Sequence, residues 1–142
     1  QVIQYFTFGG AVDTRTCQKK PEFEIIQQMN SEIKAYSPVF LGCNVLNVWH
    51  TGETIPSHTK RLESMPHKKV KSLSVSGEGA VVSLLEKGGK TYLAVQNRDC
   101  VNEAELNIEF SGKARMFTID GIKRVESNRM TLLPGNISIF IL

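Results

Sequence analysis

Cysteine is scarce in this chain: Cys17, Cys43 and Cys100 are the three in 142 residues, widely spaced and never in a Cys-x-x-Cys pair. That spacing excludes a zinc knuckle and a thioredoxin-type redox motif. It favours three reduced cysteines packed as small apolar groups over one disulfide plus a free thiol. Long hydrophobic runs are also missing. No window approaches the ~18 consecutive apolar residues that a membrane helix requires, so no membrane span is expected. A charge excess of one sign is weak: 17 Lys and Arg against 14 Asp and Glu leave +3, with a pI near 8.8. Nucleic-acid-binding domains usually carry a stronger basic stripe, so no nucleic-acid partner is expected. Aromatic residues are few, at 8% with a single Trp, and Tyr92 stands nearly alone between Val75 and Leu106. A strand face of stacked rings for sugar is therefore thinly supplied. Glycine pairs occur at Gly9-Gly10 and Gly88-Gly89; the second runs into Lys90-Thr91, but Leu84 stands where a phosphate loop needs its first glycine and no helix follows either pair, so neither is a phosphate loop.

Enough remains for one folded unit or a unit with a short appendage. Hydrophobic residues make up 41% and charged residues 22%. A domain of this size hides roughly 70% of its unfolded surface. The basic excess is local. Between Thr51 and Lys71 stand Lys60, Arg61, Lys68, Lys69 and Lys71 against Glu53 and Glu63, which accounts for the whole net charge. A solvated loop explains that composition better than an anion patch.

Periodicity divides the chain in two. Val2 to Phe8 is rich in aromatic and β-branched residues and ends at Gly9-Gly10, which predicts a short strand. Pro21 then opens a helix, with Glu22 and Glu24 in the first turn where the dipole favours negative charge. Phe23, Ile26, Met29 (or Asn30), Ile33, Tyr36 and Phe40 recur at intervals of three and four, forming one apolar stripe. Pro38 is expected to kink or restart the helix near Ser37, and Gly42 to stop it. Beyond Gly42 the period becomes two. Strands are expected at Val45–His50, around Leu73 and Val75, at Ala80–Glu86 and Thr91–Gln96 across a Lys87–Lys90 hairpin, and at Leu106–Phe110. Others follow at Ala114–Ile119, Ile122–Glu126, Met130–Leu133 and Ile137–Leu142. Thr51–Lys69 reads as a long loop. The fold class is mainly β: an antiparallel β-sandwich of seven or eight strands, preceded by one strand and one amphipathic α-helix. The division falls into residues 1–43, a strand plus helix, and 44–142, the sandwich.

That odd beginning is where a family likeness enters. The order Gln4-Tyr5-Phe6-Thr7-Phe8-Gly9-Gly10, a polar loop, then Asn30-Ser31-Glu32-Ile33 and Ser37-Pro38-Val39-Phe40, resembles the last βα unit of a (β/α)₈ glycoside hydrolase. The likeness is to β-galactosidase-like enzymes of carbohydrate-degrading bacteria. Val48-Trp49-His50-Thr51-Gly52 is similar to the strand that follows that helix. Asp120-Gly121, Leu132-Leu133-Pro134-Gly135-Asn136 and Ile139-Phe140-Ile141-Leu142 are similar to the turns and final strand closing the family's β-sandwich. The resemblance implies that residues 1–43 belong to a preceding barrel and that the sandwich is an accessory domain. It also implies a secreted bacterial parent, periplasmic or extracellular, although no signal peptide stands in this chain. The family's acid and nucleophile sit on earlier barrel strands, so no catalytic residue carries over.

The residues themselves agree on the last point. Glycoside hydrolysis needs two carboxylates ~5–10 Å apart. The acids here fall on wet strand faces (Glu103, Glu105, Glu109) or at the helix start, and only Glu53 and Glu63 fall in a loop that could form a cleft. His50, His58 and His67 are spaced by eight and nine residues, which fits no zinc pattern. No metal and no cofactor are expected. No Ser or Cys has a nucleophile context such as GxSxG. Asn136-Ile137-Ser138 is a formal glycosylation sequon that chance explains. Phe8, at the C-terminal end of a last barrel strand, and Trp49 beside His50 are the candidate substrate-lining residues. The expected function is a non-catalytic accessory domain, with carbohydrate as a candidate ligand. Its helix stripe is made for the parent barrel or a second copy of the chain. A stand-alone carbohydrate-binding sandwich and an adhesion module pairing through a sheet edge are the rival readings.

Overall fold

The computed structural model describes residues 10–142, so the expected strand at Val2–Phe8 and the candidate Phe8 lie outside the described residues. Among the described residues one helix, α1 (Glu22–Phe40), precedes nine strands. These are β1 (Asn44–His50), β2 (Val70–Val75), β3 (Ala80–Lys87), β4 (Lys90–Asn97), β5 (Ala104–Phe110), β6 (Arg115–Thr118), β7 (Gly121–Arg124), β8 (Arg129–Leu132) and β9 (Ile137–Ile141). They form a six-stranded sheet, β1-β3-β4-β9-β6-β7, and a three-stranded sheet, β2-β5-β8. Every strand pairing is antiparallel. The expected class is thus the observed one, with nine strands rather than seven or eight after the helix.

Side-chain alternation explains the layers. Leu84, Leu93, Val95 and Phe140 of the large sheet meet Leu106, Ile108 and Leu132 of the small one, all buried. The intervening residues Leu85, Tyr92, Ala94, Ile139 and Ile141 face the other way and would lie bare without α1. The last turns of α1 cover them with Tyr36, Val39 and Phe40, and Val39 is only 1% exposed. Full burial of one such side chain stabilises by roughly 1.5–3 kcal/mol. The large sheet is therefore the middle layer, between the small sheet and the helix end.

Local chemistry sets the boundaries. Pro21 caps α1 with helical φ and ψ, and Glu22 and Glu24 follow it. Pro38 does not interrupt the helix, which runs on to Phe40. A proline leaves the carbonyl four residues earlier without its usual N–H partner. Here the Ser37 hydroxyl donates to that oxygen, Lys34 O, at 2.9 Å. Gly42 stands just past the end with φ +69, as a left-handed stop requires. The β3–β4 hairpin turns through Gly88 and Gly89, both at positive φ, which matches the twist of paired strands. Extra residues bulge β1 between Val45 and Asn47, and β2 between Val70 and Ser72. The three cysteines are free; Cys43 packs under α1, whereas Cys17 and Cys100 are exposed rather than buried.

Candidate functional site

Trp49 and His50 sit at the far end of β1, the edge strand of the large sheet. Their register separates them. Trp49 lies opposite the core residue Val82 and packs against the inter-sheet core, whereas His50 lies opposite Val81, on the helix side. Adjacent strand residues face opposite ways, so the two do not line one mouth. The backbone of His50 makes two hydrogen bonds across the open edge of β1 to one segment. Its N–H donates to Lys60 O at 2.7 Å, and its carbonyl accepts from Leu62 N–H at 3.0 Å. The segment 60–62 thereby covers this end of the open edge, joined by a parallel bridge between His50 and Arg61.

The loop after His50 is clamped by two guanidinium groups. Arg98 donates to Thr51 O and Thr54 O, both at 2.9 Å. Arg61 donates to Gly52 O at 2.5 Å and to Glu53 O at 3.0 Å. Four successive carbonyls are thus consumed by two arginines. Beneath them the chain passes itself so closely that a Cβ on Gly52 would overlap the Glu78 carbonyl and one on Gly79 the backbone of Thr51 and Gly52. The Thr51 hydroxyl accepts from Ala80 N–H at 2.8 Å. This region of the basic segment is architecture: Arg61 holds the loop, and Lys71 pairs with Glu109 at 3.1 Å.

Three histidines share this part of the chain without converging. His58 is exposed, and His67 Nδ1 accepts from Lys69 N–H at 3.3 Å. His50 Nδ1 is buried with no hydrogen-bond partner among the described residues. Burial, then the nearby Arg98 charge, lowers the His50 pKa from 6.5. Burial, then Lys69 and Lys68, lowers that of His67. Both rings therefore favour the neutral form. No group of three His, Cys, Asp or Glu side chains suited to a metal ion occurs among the described residues. Glu53 and Glu63 are both exposed on the loop surface.

The more open feature is the helix, whose stripe is split along its length. Tyr36, Val39 and Phe40 reach the sheet. Ile25, Met29 and Ile33, spaced by four, stay at 62%, 43% and 37% exposure. Phe23 and Ile26 are half-buried beside Ala11 and Val12. Between α1 and the turn from Leu133 to Ile137 lies a groove of about 830 Å³, floored by Tyr36, Phe40 and Ile137 and rimmed by Met29, Ile33 and Leu133. Sequence reasoning found the stripe but missed Val39, because Pro38 suggested a break just before the residue that inserts most deeply. Compared with family models, curated proteins and solved structures, the chain matches none.

Proposed function

We propose that this chain is a non-catalytic β-sandwich module that supports a neighbouring domain, with α1 as the seat. The neighbour in this reading is the barrel of a secreted bacterial (β/α)₈ glycoside hydrolase, as the sequence resemblance implies. One observation carries it: among the described residues the 19-residue helix reaches the sheet with its last turns only, leaving Ile25, Met29 and Ile33 as an exposed apolar row whose last two members rim an open groove. Contiguous exposed apolar area of this kind marks an interaction surface. The described aromatics support a structural role over a sugar platform. Tyr92 and Phe140 are buried, and Phe110 packs on Phe140 with ring centroids 5.2 Å apart.

The test is the reading frame upstream of the Gln1 codon, combined with paired substitutions. A barrel-length frame in continuity is expected. Ile33→Glu and Met29→Glu should then destabilise the full-length protein while leaving the melting temperature of the 142-residue chain within about 2 °C, since exposed substitutions usually cost little. An upstream frame with no such domain overturns the reading. So does a concentration-dependent dimer of the chain that Met29→Glu dissociates, because a second copy would then be the occupant.

A further inference from the structure

The helix-bearing face of the large sheet carries one register row from edge to edge. Val45 faces Leu85, Leu85 faces Tyr92, Tyr92 faces Ile141, Ile141 faces Arg115, and Arg115 faces Arg124. Four apolar positions thus end in two arginines, directly opposite each other on the outermost hairpin and both exposed. Like charges so placed destabilise a sheet. The other directly opposed cationic pair, Lys87 and Lys90, is relieved because the Lys87 ammonium donates to Pro38 O, while Lys71 pairs with Glu109, Lys123 with Asp120 and Arg129 with Glu105. Among the described residues neither the Arg115 nor the Arg124 side chain has a hydrogen-bond or ion-pair partner. Beside them on the same face, Ile122 opposes Phe117, whose ring lies 6.5 Å from that of Tyr36. The two forks therefore rise from a firm apolar base at one end of the helix-covered face.

We propose that Arg115 and Arg124 form a binding site for a sulfate or phosphate group. Facing residues in an antiparallel pair hold their Cβ atoms about 5 Å apart. Two guanidinium forks at that spacing can close on one tetrahedral oxyanion through paired N–H donors. Two positive charges match a dianion, whereas a carboxylate would leave one unbalanced. The site stands apart from the docking groove and does not depend on the domain-support reading.

The experiment follows the arginine Nε–Hε signals of the intact chain by NMR during titration with sodium sulfate and sodium phosphate, against sodium chloride at equal ionic strength. Saturable shifts are expected at Arg115 and Arg124 with the two oxyanions and not with chloride. Arg115→Gln/Arg124→Gln should weaken binding by about tenfold or more, and Lys113→Gln should not. Sulfate stabilises proteins generally, so its effect on melting is compared between wild type and the double variant, and the wild type should gain more. Arg124→Gln alone should melt no lower than the wild type in chloride, because it removes the repulsion. If the double variant does not fold, Arg115→Lys/Arg124→Lys carries the test, keeping the charge but losing the fork. Parallel titrations with a sulfated disaccharide and a phosphomonoester tell which source supplies the group. Shifts that track ionic strength alone, or undiminished binding in the double variants, overturn the proposal.

Discussion

The Lys87 ammonium, at the end of β3, donates to Pro38 O at 2.6 Å, and it also reaches the carbonyl of Leu41. A residue of the sheet thus caps the C-terminus of α1, which has no basic residue in its own last turn. The negative end of a helix dipole and its unpaired carbonyls both favour a cation there. This contact and the insertion of Val39 are what fix the helix to the middle layer. Substituting Lys87→Met keeps the stem and removes the charge. The expected cost is about 1 kcal/mol of stability, with faster amide exchange confined to the last turns of α1. Hydrogen exchange read by mass spectrometry checks this; uniform acceleration across the sheets would refute a local cap.

Asn97 joins three segments. It is the buried polar residue at the end of β4, 2% exposed. Its amide donates to Asn102 O at 2.9 Å and to Leu132 O and Leu133 O at 3.3 Å, and its side-chain oxygen accepts from Asp99 N–H at 2.9 Å. The large sheet, the 99–102 loop and the end of β8 are thereby tied by one side chain. Asn97→Leu leaves buried carbonyls unpaired, so a loss of roughly 2–4 kcal/mol is expected, against well under 1 kcal/mol for the exposed Asn128→Ala. Urea denaturation of the two variants measures the difference.

How far these relations could be read beforehand varies with their range. Leu106 and Ile108 alternate with polar neighbours, and Gly88-Gly89 sits between two apolar runs, so strand, turn and face were visible in order. Val39 was hidden because the Ser37 hydroxyl repairs the carbonyl that Pro38 orphans, a local contact that periodicity ignores. Asn97 reads as an ordinary turn residue, since its partners lie as far as 36 residues away. Trp49 and His50 are neighbours in sequence, yet strand alternation parts them. Arg115 and Arg124 meet only once the register of β6 against β7 is known.

Gly79 offers a sharp test of the clamp around Thr51. Its φ is +84, and a Cβ there would overlap the backbone of Thr51 and Gly52, which cannot move without breaking the Arg98 and Arg61 bonds. Gly79→Ala therefore combines a strained backbone with a clash against main chain. A loss above about 3 kcal/mol is expected. Gly77→Ala is the control for backbone strain alone, because φ there is +65 but nothing lies near the added carbon. Thermal melts in which the two variants fall equally would show that the close approach does not matter.

The two depressed histidines set the acid side of the stability profile. His50 and His67 both have folded pKa values below 6.5, caused first by burial and then by neighbouring positive charge. Around that pH the unfolded chain binds more protons than the folded one, so stability rises with pH up to the unfolded value and levels above it. Protonation of His50 would also bring a second positive charge beside Arg98, whose bonds hold Thr51 and Thr54. The melting temperature should therefore climb as pH rises toward the unfolded histidine value of about 6.5 and then flatten. His50→Gln with His67→Gln should reduce that climb, leaving the contribution of carboxylates such as Asp99, held low by the Asn102 side chain and backbone N–H groups, to appear at more acidic pH. Melts of the wild type and the double variant across this range decide the matter; parallel curves would mean that neither imidazole is linked to folding.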